Sequence, residues 1–204
     1  MGAGTATGPG RIRAGEAVRD HGFVRVWPDD GPIMPPRIAL EHAARCLSVE
    51  DLAILLESAA NTRLLSVGEI DALVATFPVK TRRAVGEVVP WAQSGTETRV
   101  RRFLQRSGVT VPPQAGLLPD ERMDMVVGEL LVIECDSHGH HEDPRAYKND
   151  RRRDQQLLLL GYRVLRLTWE DVMLNWPRTQ ELLRRIIALE LHRAPRNRRG
   201  LAGR

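Results

Sequence analysis

From Arg37 to Gln93 the apolar residues recur at helical spacing, in short runs separated by capping signals. Ile38, Leu40, Ala43 and Ala44 form the first run, which breaks near Ser48. Ser48-Val49-Glu50-Asp51 opens a second helix that carries Leu52, Ile54, Leu55 and Ala59. Ser66 and Glu69 stand at capping-box spacing ahead of Ile70, Leu73 and Val74; Pro78 closes this third helix, and Thr81 to Trp91 can form a fourth. Upstream, His21 to Trp27 (HGFVRVW) alternates apolar and polar positions as a short half-buried strand does, and it ends in the turn residues Pro28 to Pro32. A strand this short needs a partner, which the second half of the chain could supply.

The second half follows a different rhythm. Ser94-Gly95-Thr96-Glu97 starts a helix bearing Val100, Phe103 and Leu104, which stops at Ser107-Gly108. After a Pro112-Pro113 loop come two strand-like runs, Met123 to Val127 and Leu130 to Cys135. A polar, histidine-rich loop leads to a helix from about Asp150 to Leu160, a strand from Tyr162 to Thr168, and helical sequence from Glu170 interrupted at Pro177. Helix, strand, strand, helix, strand, helix is the order of an α/β core. Four segments result: 1–35, a flexible start with the short strand; 36–93, the helical region; 94–191, the α/β domain; and 192–204, a basic, disordered tail. The helices of 36–93 cluster no catalytic residues, so packing is their default role, with a protein partner as the alternative.

Composition narrows the partners. With 42% apolar and 27% charged residues the chain is globular rather than disordered. Lys80 and Lys148 are the two lysines, so 28 of 30 basic residues are arginines, the side chain suited to bidentate phosphate contacts. The net charge is only +4, so a merely basic surface explains the balance equally well. Cys46 and Cys135 lie far apart without CxxC spacing, which argues against a disulfide framework or zinc ribbon and for a reducing, cytoplasmic setting. No apolar run long enough for a membrane span is present, nor a signal peptide.

Candidate chemistry centres on acids that end apolar strands. Glu134 and Asp136 close the run LLVIECD on one face, where charges are costly without a metal or a partner. Asp124 lies in the preceding strand, and whether it joins them depends on the turn. A two-residue turn at Gly128-Glu129 places Asp124 and Glu134 on opposite faces, whereas a three-residue turn, Gly128 to Leu130, sets them opposite one another. A metal site therefore predicts the odd-length turn. Cys135 should point the other way, into the core, which makes zinc the lesser alternative. Glu97 could close a cap with Ser94 or turn toward the strand acids as a further metal ligand. His140 and His141 are candidates for proton transfer or ligation, and His138 for holding substrate. Asp150, Arg153, Asp154 and Leu157 share a helical face. Either Asp150 pairs with Arg153 above Leu157, or Arg153 holds a substrate phosphate or fixes the acids while Asp150 orients it.

Asp124, then Glu134-Cys135-Asp136, His140-His141, Asp150 to Arg153, Leu157 and Gly161 to Arg166 form a combined pattern. It resembles the very-short-patch-repair-like (Vsr-like) branch of the PD-(D/E)xK nuclease superfamily. The nearer likeness is to Vsr-like domain proteins of actinobacteria, where a helical N-terminal region often precedes the domain. The resemblance covers about Ser94 to Leu191 and implies a restriction-endonuclease-like mixed sheet flanked by helices. It maps the leading acid onto Asp124, the second acidic pair onto Glu134 and Asp136, the histidine onto His140 or His141, and the acid of the leading helix onto Glu97. Asp136 stands where the superfamily has its lysine, Ser137 replaces the usual glycine, and Lys148 in its loop could supply a migrated lysine. The expected activity is a Mg²⁺- or Mn²⁺-dependent DNA endonuclease or nicking enzyme, with metal at Asp124, Glu134 and Glu97. The alternative is a non-catalytic nucleic-acid-binding or regulatory module, in a toxin–antitoxin or defence setting.

Overall fold

Serine caps and prolines set where the first helices begin. The computed structural model describes residues 33–90, 92–112, 117, 123–136 and 144–195, without the side chains of 136 and 144–148. Within it, Pro35–Arg204 belongs to one compact unit. Helix α1 (Pro36–Cys46) opens on proline, whose fixed φ suits a first turn. The Ser48 hydroxyl accepts the Asp51 N–H at 3.1 Å and caps α2 (Val49–Asn61). Ser66 and Glu69 form the expected capping box of α3 (Val67–Ala75). Helix α4 (Val79–Val85) starts two residues before the expected Thr81 and ends far short of Trp91, because Gly86 takes a left-handed φ of +64°. Leu40, Leu52, Leu56, Ile70, Leu73 and Phe77 make the core of this helical layer.

Helix α5 (Gly95–Arg106) joins that layer to a sheet. Buried Glu57 on α2 accepts Arg101 Nη2 at 2.6 Å and Thr98 Oγ1 at 2.8 Å, and Arg102 Nη1 approaches it at 3.4 Å. Arg99 binds Asp51 and reaches Glu50 at 3.6 Å, while Arg102 also donates to the Val85 carbonyl. Such buried pairs contribute little net stability but punish the loss of either partner, so they fix how α5 lies on α2.

The sheet is mixed, in the order β1 (Met125–Val127), β2 (Leu131–Asp136), β3 (Arg163–Thr168). β1 runs antiparallel to β2, and β3 is parallel to β2. A parallel pair needs a crossover, which contains α6 (Pro144–Leu159). α6 starts six residues before the expected Asp150, with Pro144 in its first turn, and so Lys148 stands in a helix rather than a loop. A capping box of Thr168 and Asp171 starts α7 (Trp169–Met173), and α8 (Trp176–Ala188) follows. Pro177 does not interrupt this last helix: it occupies the first turn, and the break falls at Leu174-Asn175. Eight helices and three strands are thus found among the described residues.

Strand alternation sorts the core into two faces. Met125, Val127, Leu131, Ile133, Cys135 and Leu167 pack with Val100, Leu104, Val172, Trp176 and Leu183. Val126 and Val132 pack with Met123 and Leu157, on the side covered by α6. The turn between β1 and β2 is clasped from outside, since the His192 carbonyl accepts the Glu129 and Leu130 N–H groups at 2.8 and 3.2 Å. Among the described residues no helix is long and apolar enough to cross a membrane. The strand expected at His21 to Trp27 and the tail from residue 196 lie outside the described residues.

Candidate active site

Val127 pairs with Leu131 and Met125 with Ile133, so the turn is Gly128-Glu129-Leu130, the odd-length form that a shared acidic face requires. Continuing this register by one residue sets Asp124 against Glu134. Asp124 does not extend the strand, however. The chain bends there, and Asp124 Oδ2 accepts the Cys135 N–H at 2.8 Å, in place of the carbonyl a longer β1 would offer. The carboxylate is thereby anchored where the hairpin opens.

Glu134, with its residue 5% exposed, faces α6. Arg153 Nη2 donates to Glu134 Oε1 at 3.0 Å and lies 3.0 Å from Met123 Sδ. The expected Asp150–Arg153 pair is not among the ion pairs of the described residues; Arg153 crosses to the strand acid instead, and Asp154 binds Arg166 of β3 at 2.8 Å. The helix face was legible by spacing, but its partner lay on another element. Met123 had no signal in the sequence beyond its place in an apolar run, yet it supplies the second contact to the guanidinium.

Glu97 combines both expected readings. Ser94 Oγ accepts the Glu97 N–H at 3.2 Å, and the Glu97 carboxylate accepts from Gln93 N–H at 2.9 Å and Ser94 Oγ at 3.0 Å. Burial raises its pKa above the usual carboxylate value, and the negative charge of Asp124 adds to the rise. α5 therefore brings Glu97 within electrostatic reach of the hairpin acid while its cap holds it in place.

Cys135 is buried in the core on the face opposite Glu134, as strand parity demands, and both Cys135 and Cys46 are free thiols. Asp136 ends β2; its side chain, together with His138, His140 and His141, lies outside the described residues. Asp124, Glu134 and Glu97 offer oxygen donors of the kind Mg²⁺ and Mn²⁺ prefer, and the like-charge strain on Glu97 is what a cation would relieve. Among the described residues no three His, Cys, Asp or Glu side chains are gathered closely enough to hold an ion as they stand. Arg153 occupies the Glu134 carboxylate, and the Cys135 amide that of Asp124.

A three-stranded mixed sheet with a helical crossover and opposed acids where its hairpin opens defines a class of α/β site. Residues 97–187 match the model of REase_MTES_1575, a restriction-endonuclease-like family. This similarity supports the nuclease superfamily for the α/β part of the chain, beginning at Glu97 and containing Asp124, Glu134 and Arg153. No curated protein and no solved structure matches the chain.

Proposed function

We propose that the chain is a metal-dependent DNA endonuclease or nicking enzyme of the Vsr-like branch, with a restriction-endonuclease-like fold. The observation that carries this reading is the three-residue turn, which opposes Asp124 and Glu134 inside the segment similar to nucleases. Asp124, Glu134 and Glu97 would hold Mg²⁺ or Mn²⁺. That ion would neutralise charge building on a phosphodiester and lower the pKa of an attacking water. Asp136 completes the acidic end of β2, and His140 or His141 moves the proton, with His138 near the substrate. Arg153 offers a guanidinium to a backbone phosphate, and Asp150 helps to orient it. The free cysteines support a reducing, cytoplasmic setting. Helices α1–α4 serve chiefly to hold α5, and through it Glu97.

The test is conversion of supercoiled plasmid to nicked or linear form by purified protein with Mg²⁺ or Mn²⁺. Wild type should cleave, while Asp124→Ala and Glu134→Ala should each lose at least about a hundredfold in rate, the scale of losing a directly acting electrostatic group. Cleavage equal in wild type and both variants would mark a contaminant and sink the proposal. The Arg153–Glu134 pair favours a second reading, a non-catalytic nucleic-acid-binding module in which the acid serves only to seat the arginine. DNA binding without cleavage in any metal would establish it.

A further inference from the structure

Resting on the reading of Glu134 as a metal ligand, we infer that Arg153 is a latch that keeps metal out of the acidic site until nucleic acid arrives. The guanidinium lies 3.0 Å from Glu134 Oε1, and the two side chains are only 16% and 7% exposed. A divalent ion and a guanidinium on one carboxylate repel each other, and partial burial weakens the screening between them. Metal binding at Glu134 therefore requires Arg153 to leave.

The backbone around the latch is firmly held, so the movement belongs to the side chain. One turn along α6, Leu157 is buried to 1% exposure in the core between sheet and helix. Asp154, the neighbour of Arg153, is tied to Arg166 on β3 at 2.8 Å. The other contact of the same nitrogen is the thioether of Met123, a weak acceptor that holds little against a competing anion. A backbone phosphate is such an anion, matching the guanidinium with charge and several acceptors. Once phosphate draws Arg153 away, Glu134 carries an uncompensated, half-enclosed charge, and the site's affinity for a cation rises. By linkage the metal strengthens DNA binding by the same factor. A nuclease built this way holds metal poorly when idle and loads it on its substrate.

Mn²⁺ titrations of the full-length protein by calorimetry, with and without a short DNA duplex and with the duplex alone as blank, read the latch without reference to cleavage. Wild type should bind Mn²⁺ about tenfold more tightly when the duplex is present, the factor expected from releasing one partly buried ion pair. Arg153→Gln should bind Mn²⁺ about tenfold more tightly than wild type without DNA and show no further gain with it. Arg153→Lys keeps a charge but places one ammonium where the guanidinium spans two contacts, so it should fall between the two. It also serves as the test should the glutamine variant fail to give a wild-type circular dichroism spectrum. Unchanged or weaker Mn²⁺ binding in a folded Arg153 variant, while Glu134→Gln still loses the ion, overturns the latch and leaves the metal site standing. Undiminished Mn²⁺ binding in both Glu134→Gln and Asp124→Asn removes the metal reading itself, and the latch with it.

Discussion

Replacing Gly128 with alanine should separate two costs that a structure usually presents together. Gly128 sits at φ +61°, and a Cβ built there would lie 2.5 Å from the His192 carbonyl oxygen and 2.9 Å from its ring. The left-handed backbone alone costs about 1 kcal/mol for an alanine. The contact is with backbone rather than a flexible tip, so relief requires moving the segment around His192. That movement endangers the hydrogen bonds from the Glu129 and Leu130 amides, each worth about 1 kcal/mol. The sum is about 3 kcal/mol, which lowers the melting temperature of a domain this size by about 6–12 °C. Two other glycines calibrate the scale. Gly86 has φ +64° with nothing within 4 Å of its Cβ position, so its alanine variant should show the strain alone, about 1 kcal/mol. Gly68, inside α3 with open space around it, should become more stable by up to about 1 kcal/mol. Thermal and urea unfolding of the three variants gives the ranking directly. A Gly128→Ala variant no less stable than Gly86→Ala would refute the claim that the His192 clasp governs the turn.

Two further predictions concern buried charge. Glu57→Ala should destabilise by about 3–5 kcal/mol in urea unfolding, since Arg101 and Arg102 lose the acid that compensates them inside the α2–α5 interface. A wild-type midpoint would mean that water reaches those guanidinium groups. Glu97, whose pKa is raised first by burial and then by Asp124, binds a proton more readily folded than unfolded. Its contribution to stability is therefore lost as pH rises from the ordinary value of 4.5 through the folded one, and the deficit persists at neutral pH. Glu97→Gln should melt higher than wild type at pH 7 and gain less below pH 4; equal gains at both would show that the charge is not the cause.

Local signals were legible because they are local. The serine caps at Ser48, Ser66 and Ser94 and the stops at Pro78 and Gly108 placed the helices to within a few residues. Parity reduced the question of Asp124 to the length of one turn and put Cys135 in the core before any coordinates. Pairings across elements were not legible. Arg153 has Asp150 one turn away on its own helix, yet it bonds a strand acid 19 positions earlier, because the sheet packs against that face of α6. Glu57 stood in an amphipathic pattern like any surface acid, and only the packing of α5 on α2 makes it buried. Helix starts marked by proline rather than by a polar cap, at Val79 and Pro144, were also placed too late, because Pro78 and Pro144 look like breaks when read forward along the chain.

Helix α5 has a consequence for how this protein can be inherited. The segment similar to nucleases begins at Glu97, yet Arg101 and Arg102, four and five residues inside it, are neutralised by Glu57 from outside it. A recombination break just before α5, where a cassette boundary would naturally fall, would hand one descendant two stranded cations and the other a stranded anion. The α/β part can move to a new setting only if α2 travels with it, or if the arginines are exchanged for apolar residues in the same event. Lineages that carry this helix with its arginines should therefore carry a matching acid upstream, and those that have shed the upstream helices should have lost both arginines.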